Sequence, residues 1–355
     1  MTEQQKSLRE RDGHIANNWY VICLTEELGR EKPIQRTLYD TPYVIWRDET
    51  GKPAILPDRC LHRHTFISMG GWIKEGRVCC PYHGWEYNRS GQVEHIPSEG
   101  PDSQVERKLC LKAIPCYEQD GAIWAWMGEG EPTTELPPWR FPNYGQKGWH
   151  HYFMVTDFTG EVTDLAENFM DVPHTVFVHK GWFRDKKDQK VPMTVETKDG
   201  TVLCTYNQED DEFSWAAKML LNPGGHPMKH TDKFIYPNLT SVDYWFGDNG
   251  FIINSQVSPV GTLNSRVYTY IAYKVNMFGS LIKPIISYYT REVINQDVDI
   301  MINQGGSLAV DSHRTYRSTP ADELHIQIER LRRYGQLGDD KLWTFETKKE
   351  VEFWI

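Results

Sequence analysis

The chain has 355 residues, of which 39% are hydrophobic and 13% aromatic, and it carries a formal net charge of -10 without any run of Lys or Arg. A chain of this length can bury one large core or two ordinary ones, and we expect two domains. The acidic balance argues against nucleic acid or an anionic membrane as the principal partner, so a small molecule or another protein is expected.

The N-terminal segment, residues 1–16, is polar and charged, which predicts a disordered lead-in and neither a secretory signal nor a membrane span. The most apolar later stretch, Val275 to Tyr289, is interrupted by polar residues and Pro284 and is too short to cross a bilayer. We interpret it as a buried element or a subunit contact, with peripheral membrane contact as the alternative. The seven cysteines are odd in number and widely spread, which favours a cytoplasmic protein with some metal-bound cysteines over a secreted disulfide framework.

The first third of the chain has the pattern of an antiparallel all-β domain. Short apolar or alternating runs, such as Trp19 to Leu24, Tyr43 to Arg47 and Ala122 to Met127, are separated by Gly, Pro and Asp turns. The segment Glu129 to Pro142 concentrates proline and acidic residues, which suits an extended connector. We therefore predict a first domain over residues 17–130 and a second over residues 131–355.

The second domain mixes helical and strand-like segments. Val162 to His179 has a helical pattern, and strand-like runs follow, such as Thr201 to Tyr206 and Arg266 to Tyr273. Two further helices are predicted near Ser287 to Gln304 and Ala321 to Tyr334. This order predicts an α+β domain, a sheet with helices packed on it.

The first chemically informative motif pairs cysteine with histidine in two loops. Cys60-Leu61-His62 is followed, after 17 intervening residues, by Cys80-Pro81-Tyr82-His83. A [2Fe-2S] centre needs two ligands per iron, and two neutral histidines in place of two thiolates raise its reduction potential. A zinc site uses the same residue types, but zinc modules usually pair two cysteines in one loop and two histidines in another. The spacing therefore favours the iron–sulfur cluster.

Two neighbouring residues compete for roles in this motif. Cys79 adjoins Cys80, but only Cys80 has the x-x-His spacing to His83, so we expect Cys79 to be a packed thiol. His64 lies two residues past His62, where the C-x-H loop is already complete. We expect His64 to be a surface or hydrogen-bonding histidine.

The second motif places His174 and His179 five residues apart in the helical stretch. On a regular α-helix that offset turns the two side chains about 140° apart. For both imidazoles to meet one metal, the helix must be distorted or must end between them, and Pro173 supplies a local cause.

Two histidines with one carboxylate form the facial triad that selects Fe(II) chemistry with O2. A late helix offers Asp297 and Asp299, and periodicity alone does not choose between them. Asp171 precedes His174 by three residues and is placed to orient a histidine as a hydrogen-bond acceptor.

Together these motifs resemble the α (oxygenase) subunit of Rieske non-heme iron oxygenases, from about Trp19 to about Gln304. The family binds its [2Fe-2S] cluster through C-x-H-x(15–17)-C-x-x-H, which is matched at Cys60, His62, Cys80 and His83. The sequence departs from the commonest form at Leu61, where many members have Pro, and after Arg63, where the usual small residue is absent; no ligand is affected.

The family's iron motif, N-x-x-D-x-x-H-x(4)-H, is also matched, at Asn168, Asp171, His174 and His179. By resemblance, Asp297 is the third iron ligand, and Asp171 and Asn168 are catalytic-site residues. Asp171 resembles the aspartate that links one subunit's cluster to the iron of the next subunit, which implies a homotrimer of the α-only group. The resemblance also implies a helix-grip (START-like) α+β catalytic domain after the Rieske domain.

The implied activity uses O2 and electrons from an NAD(P)H reductase, directly or through a ferredoxin, to hydroxylate or oxidatively demethylate a small organic substrate. The alternative within the family is cis-dihydroxylation of an aromatic substrate. Outside it, a Rieske ferredoxin would leave the second domain unexplained, and a binding module would leave the metal motifs purely structural. Aromatic residues of the second domain are expected to build the core or contact substrate: Phe213, Trp215, Tyr244, Trp245 and Phe251.

Overall fold

A computed structural model describes residues 15–101, 105, 108–128, 130, 132, 139–180, 182, 188, 190–206, 222, 224–275, 279–311 and 316–355. Nearly all of the predicted lead-in and most of the predicted connector lie outside these residues. The chain divides into two compact units, one of them Ala16–Arg140 and the other including Phe141–Ile355. The division falls within the proline-rich connector, and the domain limits at residues 130 and 131 stay a prediction.

The described part of the first unit contains three small antiparallel sheets. Its strands are β1 (Asn18–Leu24), β2 (Ile34–Leu38), β3 (Thr41–Arg47), β4 (Pro53–Pro57), β5 (Trp72–Lys74), β6 (Arg77–Cys79), β7 (Glu86–Tyr87), β8 (Val93–His95), β9 (Cys116–Gln119) and β10 (Ala122–Met127). The sheet orders are β1-β10-β9, β2-β3-β4 and β5-β6-β7-β8. The apolar run of β10 is buried at every position, which fixes that strand at the centre of its sheet.

The second unit is organised around one eight-stranded antiparallel sheet of order β11-β17-β16-β15-β14-β13-β12-β18. The strands are β11 (His150–Thr159), β12 (Lys190–Lys198), β13 (Thr201–Tyr206), β14 (Met228–Ile235), β15 (Leu239–Phe246), β16 (Asn249–Gly261), β17 (Asn264–Lys274) and β18 (Thr347–Trp354). Burial alternates along β12 and β13, so one face of the sheet carries the core.

Within the described residues, four α-helices accompany this sheet: α1 (Val162–Met170), α2 (Gly279–Val310), α3 (Glu323–Leu337) and α4 (Lys341–Thr344). Leu324, Ile328 and Leu331 recur on one face of α3 and pack in the same core as the strand residues Val195 and Val202. The predicted α+β fold after an all-β first domain is confirmed. Among the described residues, none of the helices has the length and apolarity needed to cross a membrane.

The helix predicted over Val162 to His179 is shorter than expected. It ends at Met170, Asp171 has extended backbone, and a separate 3₁₀ turn spans Pro173–Val176. Proline lacks the N–H that would continue the helical hydrogen-bond ladder, which gives the break a local cause. Both histidines of the second motif therefore lie beyond the helix.

Candidate metal centres

The two cysteine–histidine loops of the first unit have the same backbone construction. Cys60 N–H donates to the Thr65 carbonyl and Cys80 N–H to the Trp85 carbonyl, each at 2.9 Å. The Cys60 and Cys80 carbonyls in turn accept from the amides four residues on, at 2.9 and 3.0 Å. In the second loop that amide belongs to Gly84, whose φ of +74° suits glycine. The two loops thus present their side chains from matching turns.

The four predicted cluster residues come together at the ends of these loops. Cys60 and Cys80 are buried and free, and their thiols adjoin one another. The rings of His62 and His83 lie 4.4 Å apart, centroid to centroid. Nδ1 of His62 is buried without a hydrogen-bond partner among the described residues, as expected of a metal-ligating nitrogen. Two thiols and two imidazoles at one place fit a [2Fe-2S] cluster.

Tyr87 supports this arrangement, and the sequence motif did not reveal it. Its hydroxyl oxygen lies 3.1 Å from Cys60 Sγ and accepts the Leu61 N–H at 3.0 Å, so its own hydrogen is directed to the sulfur. The neighbouring Cys80 thiol, with help from Tyr87, lowers the pKa of Cys60 to about 5. By contrast, burial raises the pKa of Cys79 to about 11. Cys79 is therefore a protonated, packed thiol at neutral pH.

His64 occupies the position expected of a hydrogen-bonding histidine. It is exposed, and its Nδ1 lies 2.7 Å from Nη2 of Arg59. A guanidinium only donates, so this nitrogen accepts.

In the second unit, the break after Met170 brings the two histidines of the second motif together. Nε2 of His174 lies 3.2 Å from Nε2 of His179. From α2, Asp297 Oδ1 approaches within 3.1 Å of the His179 nitrogen and 3.5 Å of the His174 nitrogen. Asp297 is buried, whereas Asp299, the other predicted candidate, is exposed. Geometry thus favours Asp297 as the third member of the group.

The opposite edges of the two imidazoles are held by oxygen acceptors. Nδ1 of His174 faces the backbone oxygen of Asp171, whose carboxylate also accepts the His174 backbone N–H at 3.1 Å. Nδ1 of His179 lies 2.9 Å from Oε1 of Gln296. Each Nδ1 therefore carries the hydrogen, which leaves each Nε2 with a lone pair. Two nitrogen lone pairs and a carboxylate oxygen converge on one point, an arrangement that a cation stabilises.

Electrostatics around this point agree with a metal site. Burial lowers the pKa of His174, but hydrogen bonds with Asp171 and Asp297 outweigh it and raise that pKa to about 9. For Asp297, burial raises the pKa of the carboxyl group. Hydrogen bonds from the two histidines outweigh burial and hold that pKa below its ordinary value. A metal ion at this point would displace the proton from His174.

A cavity opens beside these residues, and its walls are mainly apolar side chains such as Phe158, Phe169, Ile253 and Ile271. Asn168 lines it too, and its Oδ1 is buried without a hydrogen-bond partner among the described residues. Of the predicted pocket aromatics, Tyr244 and Phe251 line the cavity and Trp245 is not among its described lining residues. Phe213 and Trp215 lie outside the described residues. The cavity also contains His230 and Asp232, which sequence analysis missed.

Family models identify both halves of the chain. Residues 18–118 match the Rieske [2Fe-2S] domain, and residues 161–335 match the vanillate O-demethylase oxygenase C-terminal domain. The chain belongs to the Rieske non-heme iron oxygenases. This confirms the predicted family and its cofactors, one [2Fe-2S] cluster and one mononuclear iron, for which the two groups described above supply donors.

Individual relatives of this Rieske oxygenase chain agree with the family models. It is 32% identical to the oxygenase component of dicamba O-demethylase from Stenotrophomonas maltophilia, over 65% of this chain and 63% of that protein. It is 35% identical to chloroplastic chlorophyllide a oxygenase from Arabidopsis thaliana, over 48% of this chain and 31% of that protein. The chain thus spans less than two thirds of the length of these curated relatives.

Solved structures of similar fold cover almost the whole Rieske oxygenase chain. Dicamba monooxygenase bound to dicamba superposes with a TM-score of 0.77 at 20% identity, over 92% of this chain and 98% of that one. NdmA of Pseudomonas putida with caffeine gives a TM-score of 0.77 at 17% identity, over 98% of each chain. At these identities the likeness concerns the fold.

Proposed function

We propose that this chain is the oxygenase component of a system that hydroxylates or oxidatively demethylates a small organic substrate with O2. Electrons come from an NAD(P)H-dependent reductase, directly or through a ferredoxin. The observation that carries the proposal is the convergence of His174, His179 and Asp297 on one point at the edge of a cavity with mainly apolar walls. The cavity gives an organic substrate access to that point.

Within this proposal the cluster is held by Cys60, His62, Cys80 and His83, and the iron by His174, His179 and Asp297. When bound, the cluster supplies single electrons and the iron activates O2. The protein's own residues orient the two imidazoles: the backbone oxygen of Asp171 fixes the ring of His174, and the side-chain oxygen of Gln296 fixes that of His179. The apolar walls exclude water and position the substrate.

Oxidative demethylation is the preferred reaction because a relative identical at 32% of positions is named for O-demethylation of dicamba. Cis-dihydroxylation is the alternative, and identification of the products distinguishes the two. Demethylation releases formaldehyde, hydroxylation gives a mono-alcohol, and dihydroxylation gives a vicinal diol.

We also propose a homotrimer of this chain alone in the cytoplasm. The free cysteines, five of them buried, suit a reducing compartment. Asp171 resembles the family's bridging aspartate, and its side chain is 21% exposed. Analytical ultracentrifugation of the purified chain tests this assembly, and a monomer would contradict it.

The deciding experiment starts from protein purified without oxygen. Metal and acid-labile sulfide analysis should give about three irons and about two sulfides per chain. The dithionite-reduced protein should show the anisotropic EPR signal of low average g that histidine-ligated [2Fe-2S] centres give. Methoxybenzoates and related aromatic ethers are then screened by O2 uptake with a reductase. Zinc without sulfide, or cofactor-replete protein that never consumes O2, would contradict the proposal.

A further inference from the structure

The indole of Trp85 lies flat against the imidazole of His62, one of the four cluster residues. The two ring centroids are 5.0 Å apart, and the two planes differ by 5°. His83, by contrast, meets the His62 ring at an angle of 61°. A parallel pair at this separation is an offset stack, a geometry in which aromatic rings attract one another. Trp85 therefore covers one face of a ligand histidine.

The same tryptophan is tied to the opposite loop through its backbone. Its carbonyl oxygen accepts the N–H of Cys80 at 2.9 Å. Its partly buried side chain packs against the hydrophobic core that includes Cys60 and Cys80. Trp85 is thus bonded to one cluster loop while its ring contacts the histidine of the other, so it fixes the two loops relative to each other.

Stacking replaces the hydrogen bonds that usually orient a metal-bound histidine. At the iron site, Nδ1 of His174 and Nδ1 of His179 each face an oxygen acceptor. Among the described residues no such acceptor is bonded to the ring of His62, whose Nδ1 is buried and unpartnered. A ligand ring without a hydrogen-bonded partner rotates about its bond to the metal unless packing prevents it. The parallel indole supplies that packing.

The stack also has an electrostatic consequence for the cluster. An imidazole that binds iron gives electron density to the metal, so its ring is more positive in the oxidised than in the reduced state. The face of an indole is negative and attracts such a ring. The indole also keeps water from that face of His62, and water would stabilise the more negative, reduced cluster. Both effects favour the oxidised state and lower the reduction potential.

We propose that Trp85 is a positioning residue of the Rieske centre, which fixes the ring of His62 and lowers the reduction potential of the cluster. Its effect opposes that of Tyr87, whose hydroxyl hydrogen is directed to Cys60 Sγ and stabilises the reduced state. The balance of the two residues sets the driving force for electron delivery to the mononuclear iron. The inference rests on the proposed function for one point, the assignment of His62 as a cluster ligand.

The test uses the full chain, purified without oxygen, with Trp85→Leu and Trp85→Phe as the variants. Redox titration followed by EPR measures the potential of the cluster. At a fixed potential, Trp85→Leu should raise the ratio of reduced to oxidised cluster about fivefold, the size of a cation–π contact. That ratio corresponds to an upward shift of about 40 mV, at about 59 mV per tenfold. Trp85→Phe retains an aromatic face and should shift the potential less.

Pulsed EPR of the reduced cluster gives a second readout, the nitrogen couplings of the two histidine ligands, which a purely structural role of Trp85 would not change. In Trp85→Leu one of these couplings should broaden, because the ring of His62 is free to adopt several orientations, and Trp85→Phe should restore it. Trp72→Leu is the control, because Trp72 is 43% exposed in the same unit and stacks on neither histidine among the described ring contacts. Sulfide content verifies that each variant carries the cluster. If Trp85→Leu does not, Trp85→Met, which fills space without an aromatic ring, takes its place.

The inference is overturned if Trp85→Leu keeps the wild-type potential and nitrogen couplings, if its potential shifts downward, or if Trp85→Phe and Trp85→Leu change the cluster equally. Failure of the proposed function has a different signature, because the potentials are compared without turnover. Zinc in place of the cluster would overturn both, whereas cofactor-replete wild type that never consumes O2 would contradict the proposed function alone.

Discussion

Gln296 accepts a hydrogen bond from Nδ1 of His179 at 2.9 Å, from the position immediately before Asp297 on the same helix. One turn of α2 thus contacts both edges of a single imidazole, since Asp297 approaches its Nε2 at 3.1 Å. The amide oxygen fixes the tautomer that a metal requires.

We therefore expect Gln296→Leu to weaken iron binding about 10- to 100-fold, the usual cost of losing such a partner. Competition with a chelator, followed by iron analysis, measures this loss. Asn295→Leu is the matched control, because Asn295 is exposed on the same helix and should have no effect. Equal iron affinity in the Gln296→Leu variant and the wild type would show that His179 is oriented by other contacts.

Substitutions of the two candidate aspartates of α2, Asp297 and Asp299, should differ in their effect on iron content. Asp297→Ala removes the carboxylate that lies between the two histidines, and we expect loss of the mononuclear iron with the cluster retained. Asp299→Ala removes an exposed carboxylate and should leave three irons per chain, as expected for about two cluster irons and about one mononuclear iron. Metal and sulfide analysis of both variants measures these iron contents. Iron loss in Asp299→Ala but not in Asp297→Ala would make Asp299 the third ligand.

Tyr87→Phe should lower the reduction potential of the cluster. The phenol hydrogen directed at Cys60 Sγ stabilises the more negative, reduced state, and its loss costs about 1 kcal/mol, or about 40 mV for one electron. Redox titration followed by EPR or circular dichroism measures the shift. Tyr117→Phe, which changes a tyrosine that is 48% exposed in the same unit, should leave the potential unchanged. An unaltered potential in Tyr87→Phe would exclude the hydrogen bond.

A pH-dependent contribution to stability is expected from Asp322 and His325 at the start of α3. Hydrogen bonds from His325 and from the amide and hydroxyl of Thr319 lower the pKa of Asp322 to about 2, although burial opposes the shift. Burial lowers the pKa of His325, but Asp322 and more distant carboxylates raise it above its ordinary value. The Asp322 contribution is present above its unfolded pKa of about 3.9 and is lost as pH falls toward 2. The His325 contribution is present below about 6.5 and is lost as pH rises through its raised pKa.

Asp322→Ala should therefore reduce the free energy of unfolding most between about pH 4 and 6.5, by about 1 kcal/mol. The value is modest because Asp322 is partly exposed and solvent screens it. Urea unfolding at about pH 3, 5.5 and 8.5 measures the effect, with pH values chosen around the two unfolded pKa values. Asp339→Ala is the control, because it removes a carboxylate that caps the Lys341 amide. It should lower the free energy of unfolding by the same amount at the two higher pH values. A pH-independent loss in Asp322→Ala would show that only its capping role matters.

Local sequence patterns were sufficient to predict most of the fold and both metal motifs. Periodicity located strands such as Thr201–Tyr206 and Ala122–Met127 at their observed limits. The spacing of His174 and His179 required a broken helix, and the structure has that break at Met170. Choosing Asp297 over Asp299 from residues alone was impossible, because burial on α2 depends on what packs against the helix.

The parts that sequence analysis missed depend on contacts between distant strands. His230 and Asp232 alternate with Lys229, Thr231 and Lys233, a pattern typical of a solvent-facing strand. Their burial arises because neighbouring strands and helices cover that face, which no local window reveals. Tyr87 likewise lies 27 residues from Cys60 and is brought to it by pairing of short strands.

The break after Met170 also has a mechanical consequence. Because the histidines lie outside the helix, the segment that carries them is tied to α2 through contacts more than a hundred residues away in sequence. A metal that closes so long a loop restricts the chain much as a covalent cross-link does. Chelation should therefore loosen residues 171–180 ahead of the sheet, and protease or hydrogen-exchange sensitivity there would report iron loss before activity is ever assayed.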